Sequence, residues 1–359
     1  MNTARIGRIA TAAILVAAGA LHSAAFAAQK ALTPVRMTVD EEPIVVTLTQ
    51  SLGNFELEGI KFVEVDLEKL TGEDYLMQEA LMKGRIDASY HWFNHAIFGA
   101  RHGFPIEGVM VFNDAPGMTV LVANRVKDQI HGIADFRGRN VAEGAGYGTK
   151  SVIDHYMARQ AGLAPDAYIS VVKQKKGRTA AVIQGLKDNK VDLMMFEEPV
   201  VSQLMDTGMV SPLLDLNSRT TAEKQLGAPF LAESLLMSPD YVKAHPETTQ
   251  HLVNAFVRTM RFVNSHTTDE VIAALPASYF KDGDRAATER QLRNTISNLA
   301  KGDYSFPADG VRMVADMTTS SNFDQSKEGR WRAGGDKSKV HPDALYTNRF
   351  VAEAMKEIQ

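Results

Sequence analysis

The feature that most constrains this chain is a unit that occurs twice. MQEALMKGRIDASYHW (residues 77–92) and TAAVIQGLKDNKVDLMMFEEP (residues 179–199) share one order: helix, a Gly or Asn turn, Asp, strand. In the first copy, Leu76, Ala80, Leu81 and Ile86 recur at helical spacing, and strand character returns over Ile86 to Tyr90. In the second, RTAAVIQGLKDNK is an amphipathic helix and VDLMMF a buried strand. Two lobes built alike would produce such a pair.

The rest of the chain extends the alternation. PVRMTV (34–39) and IKFVEVDL (60–67) read as strands, and EDYLMQEALMKGRI (73–86) as a helix. NHAIFGARHG forms a short helix that Gly103 can cap. GVMVFNDAPGMTVLVANR (108–125) holds two strands around the turn Asn113-Asp114-Ala115-Pro116-Gly117. A strand over Asn140 to Glu143 leads into a glycine loop and a helix, and YISVVK (168–173) is another strand. Pro199 suits the first turn of a following helix, and from Ser238 onward the pattern is mostly helical. Strands alternating with helices of this length imply an α/β fold with mainly parallel sheets flanked by helices.

With 359 residues there is room for two ordinary domains, and 45% hydrophobic content excludes a disordered chain. A net charge of -4 without a long basic run argues against nucleic acid as partner. The start has the layout of a secretory signal peptide. Arg5 and Arg8 precede the apolar run Ile9 to Leu21, and Ala25-Phe26-Ala27 is a small-x-small cleavage site. Residues 1–27 are therefore expected to be removed on export to the periplasm. With no cysteine anywhere, neither a lipid anchor, a disulfide, a thiol nucleophile nor a thiolate metal site is expected.

The segments KGRIDASYHW, IADFRGRNVAEGAGYGTKSVIDHYM and VIQGLKDNKVDLMMFEEP, in that order, resemble periplasmic solute-binding proteins of ABC importers. The group is that of alkanesulfonate, taurine and nitrate binders, which also includes thiamine-pyrimidine binders. ESLLMSPDYVKAHPETTQHLVNAFVRTMRFV (233–263) is similar to the family's return to its first lobe. The resemblance implies a two-lobed type II periplasmic binding fold with ligand in the cleft. Lobe one would span 35–122 and 234–359, and lobe two 123–233, with crossings near Thr119 to Asn124 and Phe230 to Leu236. Hinge closure would present the ligand to the permease and ATPase subunits at the inner membrane. A monomer without cofactor is expected. The start departs from the family: acidic Asp40-Glu41-Glu42-Pro43 stands where a small or uncharged polar loop is usual.

In open α/β sheets, ligands lie beyond the carboxyl ends of the strands. Tyr90, His91 and Trp92 follow such a strand and offer flat faces and polar edges. Gly146, Tyr147, Gly148 and Thr149 lie in GAGYGTKS, which opens a helix where free N–H groups attract anions. Its spacing fits neither a Walker loop nor a dinucleotide fingerprint. Glu197 and Glu198 can hold a ligand ammonium or ring N–H, or else cap the next helix. Asp40 and Asn113 complete the candidate set. His91 and His95 stand at i and i+4, yet His91 belongs to the strand-to-helix turn, so no metal site is expected. The expected ligand is a small organic acid, a sulfonate or carboxylate with aromatic acids among the candidates, clamped at Gly146 to Thr149 and covered by Trp92 and Tyr147. A thiamine-precursor pyrimidine is the alternative. An exported enzyme on the same fold is a further one, but the related synthase and desulfinase families rely on cysteine, and neither G-x-S-x-G nor H-E-x-x-H occurs.

Overall fold

The computed structural model describes residues 31–39, 44–67, 69, 77–142, 149–164, 167–171, 178–280, 285–320 and 335–358. The expected signal peptide, Asp40 and the loop residues Gly146, Tyr147 and Gly148 lie outside them.

The first sheet contains β1 (Thr33–Val39), β2 (Ile60–Glu64), β3 (Ala88–Trp92) and β4 (Glu107–Val111). The second contains β5 (Met118–Ala123), β6 (Asn140–Ala142), β7 (Ile169–Val171), β8 (Leu193–Glu197) and β9 (Val210–Leu216). The chain then returns to the first sheet as β10 (Glu233–Met237). The strand orders are β2-β1-β3-β10-β4 and β7-β6-β8-β5-β9. In each sheet one strand runs against the others: β10 is antiparallel to β3 and β4, and β5 to β8 and β9. The result is two mixed, mainly parallel sheets. The chain passes between them over residues 112–117 and 217–232.

The helices are α1 (Ile44–Ser51), α2 (Asn54–Leu57), α3 (Met77–Met82), α4 (Asn94–Arg101), α5 (Thr149–Gln160) and α6 (Arg178–Lys187). Next come α7 (Val200–Met205), α8 (Arg219–Leu226), α9 (Pro239–Ala244) and α10 (Pro246–Ser265). The last are α11 (Thr268–Ala273), α12 (Arg285–Ser297), α13 (Ala308–Ser320) and α14 (Arg349–Glu357). The long helix α10 starts on Pro246, whose fixed φ suits a first turn. Its buried stripe Leu252, Val253, Phe256, Val257, Met260 and Val263 packs with Val35, Met37 and Phe55 on one face of the first sheet. The other core is continuous from Phe93 and Ile97 through Val120, Ile153 and Met195 to Val314. Helix α13 packs on both α4 and α5, and Arg159 reaches Asp316 at 2.5 Å. The two halves are thus joined by apolar packing on one side.

The repeated unit folds the same way in both sheets. Helix α3 runs out at Gly84 (φ 60) and α6 at Asn189 (φ 57). Gly84 N–H donates to Leu81 C=O (3.1 Å) and Arg85 N–H to Ala80 C=O (2.8 Å). The equivalent bonds run from Asn189 to Leu186 (3.1 Å) and from Lys190 to Gly185 (2.7 Å). Closing a helix this way needs a left-handed residue, which Gly and Asn adopt most easily. The aspartate that follows pins its strand to the parallel neighbour. Asp87 accepts from the Arg36 N–H (2.8 Å) and from its guanidinium. Asp192 accepts from the Asn140 N–H (2.8 Å) and from the Arg125 guanidinium (2.5 Å).

Strand β9 carries Pro212, which weakens its strand pattern in the sequence. The sheet tolerates it because β9 is an edge strand and its register shifts between Val120 and Leu121, opposite Leu214 and Pro212.

Candidate functional site

A cavity of about 190 Å³ lies where the carboxyl ends of β3 and β8 face each other. The strands deliver its walls directly. Trp92 pairs with Glu233 in register, so the end of β3 and the start of the reversed β10 are adjacent. Glu197 ends β8 opposite Met118 of β5, and Asn113, Pro116 and Gly117 line the cavity from the connection between sheets. Helix α12 closes it with Gln291, Leu292 and Thr295.

Five of the expected residues line this cavity: Tyr90, Trp92, Asn113, Glu197 and Glu198. Tyr90 stacks on Phe112 at 4.6 Å and donates its hydroxyl to Glu233 Oε2 at 2.5 Å. Complete burial, then the neighbouring Glu233 carboxylate, pushes its phenol well above the ordinary range, so it stays a neutral donor. Trp92 is half-buried and meets Phe230 edge-on at 6.3 Å.

The two glutamates differ. Glu198 Oε2 accepts from the Ser202 N–H at 3.1 Å, so it does cap the first turn of α7. Its Oε1 accepts from Asn294 Nδ2 of α12 at 2.9 Å. Glu197 Oε1 pairs with Lys150. Its Oε2 is buried and has no hydrogen-bond partner among the described residues. Leaving such an atom unpaired costs about 1–3 kcal/mol, and a ligand donor would recover it. Asn113 Oδ1 is likewise buried without a partner among the described residues.

His91 and Thr149 do not line this cavity. Successive strand residues face opposite ways, so His91 turns from the side of Tyr90 and Trp92 and stacks on His95 at 3.9 Å. That contact answers the i, i+4 spacing with a ring stack, and no group of three or more metal-ligating side chains occurs among the described residues. Thr149 begins α5 and accepts from Asn94 Nδ2 at 3.2 Å, tying the start of α5 to that of α4.

Sequence reading missed Glu233, Tyr279, Gln291, Thr295 and Asn298, all of which line the cavity. Only Glu233 leaves a local trace, as a charge opening the apolar run ESLLM. The others sit in helical or turn stretches whose approach to the cleft is set by tertiary packing.

Residues 34–277 match the NMT1-like family. The chain belongs to that family. Among solved structures it is similar to the alkanesulfonate-binding protein SsuA from Xanthomonas axonopodis pv. citri bound to MOPS. Identity is 16%, TM-score 0.60, and the match covers 88% of this chain and 98% of that one. It is also similar to the periplasmic nitrate-binding protein NrtA from Synechocystis PCC 6803: identity 14%, TM-score 0.60, covering 91% of this chain and 89% of that one. The desulfurization enzyme DSZB shares the fold as well, with identity 13%, TM-score 0.60 and coverage of 90% and 100%. No curated protein gives a significant match to this sequence. The resemblance to periplasmic solute-binding proteins therefore holds at the level of the fold.

Proposed function

We propose that this NMT1-like chain is the solute-capturing component of an ABC importer, exported to the periplasm, and that its ligand is a small ring carrying N–H or amino donors. One observation carries the ligand class. Glu197, Glu198 and Glu233 line the cavity; Lys150 compensates only Glu197, and among the described lining residues there is no Lys, Arg or His. An anionic group about 4 Å from a carboxylate is repelled by about 1–4 kcal/mol, depending on local screening. A ring with donors would instead satisfy Glu197 Oε2 and lie against Trp92. The cavity's 190 Å³ is small beside the roughly 300–1,000 Å³ of drug-sized sites. The carboxylates, rather than the volume, favour the pyrimidine-like alternative over the organic acid. The organic acid would need the glycine loop over Gly146 to Thr149 to outweigh the carboxylates.

Capture by lobe closure fits the contacts between halves. On the cleft side the bridges are polar: Asn94 to Thr149, Asn294 to Glu198 and Asn298 to Asn217 at 3.5 Å. Water can replace each of them, whereas the apolar packing of α13 on the far side acts as the pivot. The enzyme reading is weaker. DSZB was also solved as a cysteine-to-serine mutant with biphenyl-2-sulfinic acid, and this chain has no cysteine.

Thermal shift and calorimetry on residues 28–359 test the proposal with aminopyrimidines, alkanesulfonates, aromatic carboxylates and nitrate. Stabilisation by aminopyrimidines is the expected result. Stabilisation only by anions would overturn the ligand class and leave the importer reading. Turnover of a bound compound would overturn the importer reading.

A further inference from the structure

A second concavity lies round the flank of α12 from the cleft. At about 100° per residue, Gln291 and Thr295 share one side of that helix, Ser297 points away from it, and Leu292 and Ile296, four residues apart, form the flank between the two. The groove there has a volume of about 790 Å³. Val263, Ile296 and Met355 make its floor, and Arg261, His266 and Lys301 stand around it without an Asp or Glu among the described lining residues.

The cations of this groove differ from their neighbours. Arg258 pairs with Glu58, and Arg293 with Asp269. Arg261 and Lys301 make no ion pair among the described residues. Arg261 is held in place all the same: Nη2 donates to the Met355 carbonyl at 3.2 Å and lies 3.7 Å from its sulfur. His266 stacks on Phe262 at 4.1 Å, and its Nδ1 donates to the Phe262 carbonyl at 2.9 Å. Nδ1 also lies 3.1 Å from Ser265 Oγ, so Nε2 is the ring's remaining polar atom. The Tyr304 hydroxyl accepts from Asn264 Nδ2 at 3.1 Å, which leaves its own proton to donate. Thr268 adds a hydroxyl, whereas Ser265 and Ser297 already donate theirs to the Phe262 (3.3 Å) and Asn294 (2.7 Å) carbonyls. Positive charge exceeds negative among the described lining residues.

We propose that this groove is a second ligand site, distinct from the cleft, that takes a phosphate group. Its anchored guanidinium offers planar donors and its lysine a mobile point charge, a combination suited to a multiply charged tetrahedral anion rather than a single carboxylate. The group can be carried by a soluble phosphate compound or by an anionic lipid headgroup.

Calorimetric titration of residues 28–359 with inorganic pyrophosphate tests this, beside sedimentation with vesicles of phosphatidylglycerol or of phosphatidylcholine alone. The expected result is binding of pyrophosphate, of phosphatidylglycerol vesicles or of both, weakened by about tenfold or more in Arg261→Gln/Lys301→Gln. Pyrophosphate alone assigns a soluble source, and phosphatidylglycerol vesicles alone a headgroup. Should the double variant fail to fold, the exposed Lys301→Gln carries the same comparison. No binding of either probe, equal binding to phosphatidylcholine, or binding that the substitutions leave unchanged would overturn the proposal.

Discussion

The two copies of the helix–turn–Asp–strand unit are alike up to the aspartate and unlike from the strand exit onward. Both close their helix on a left-handed residue, Gly84 or Asn189. Both bury an aspartate that binds a neighbouring strand N–H and an arginine, Asp87 with Arg36 and Asp192 with Arg125. Beyond that, β3 ends in Tyr-His-Trp and β8 leads into Glu-Glu-Pro. The shared part makes backbone bonds and serves folding. The divergent part faces the cavity, where one unit supplies rings and the other carboxylates. Two walls of different chemistry can grip two sides of one ligand, which two identical walls could not.

If the shared part is one device used twice, breaking it should cost the same in either sheet. Asp87→Ala and Asp192→Ala are each expected to lower the unfolding free energy by about 2–3 kcal/mol. Each strips an acceptor from a strand N–H and a counter-charge from an arginine. Urea unfolding measures both, and a gap beyond about 1 kcal/mol between them would break the equivalence. Ligand affinity needs a separate reading, since these residues do not line the cavity.

The divergent part should show the opposite behaviour: little effect on folding and a large one on binding. Glu197→Gln keeps the side chain's shape but removes the charge that holds Lys150, and Trp92→Ala removes the ring face. Each is expected to weaken ligand binding by about tenfold or more, or about 1.4 kcal/mol. Calorimetry with the aminopyrimidine that stabilises the chain best would measure it. Loss in only one of the two would mean that the ligand rests on a single wall.

This division also decided what the sequence revealed. The alternation of periods announced the α/β fold, and the repeat announced two similar halves, because both signals are local. Tyr90, Trp92, Glu197 and Glu198 were legible because strand ends in such sheets are where ligands lie. His91 is their neighbour in sequence, but pleating sends it to the other face, where it stacks on His95. Gln291, Thr295 and Asn298 were not legible, because nothing in the pattern of α12 tells which half-turn meets a cleft built mainly from residues 90–233. Asp87 and Asp192 were visible as part of a repeated form, while their bonds to the neighbouring strands required the fold.

A smaller effect separates the two turns. Gly84→Ala forces a side chain into the left-handed region, at a cost of about 1 kcal/mol. Its added Cβ would meet no atom within 4 Å, so the cost is backbone strain alone. Asn189 already carries part of that strain, and Asn189→Gly is expected to change stability by only a few tenths of a kcal/mol, with either sign. Thermal unfolding of both variants tests whether the turns share one requirement. A Gly84→Ala variant as stable as the parent would show that they do not.

The smallest difference concerns alkaline pH and touches only the first unit. Tyr241 lies beside Arg36 and Asp87, where burial and then the Asp87 charge push its phenol up to about 12, against the opposing pull of Arg36. The folded state therefore holds this proton more tightly than the unfolded chain, whose tyrosine keeps the ordinary value of 10.0. The sign follows: its contribution is complete below pH 10 and is lost as pH rises from there towards 12. Partial exposure screens the effect, and Tyr90 and Tyr304, also raised mainly by burial, add to the same alkaline loss. Tyr241→Phe should flatten the fall in stability over that window without abolishing it. Asp87→Asn should flatten it less, and Asp192→Asn not at all. An equal response to the two aspartate substitutions would place the alkaline sensitivity outside this corner, and Tyr241 would lose its role in telling the two units apart.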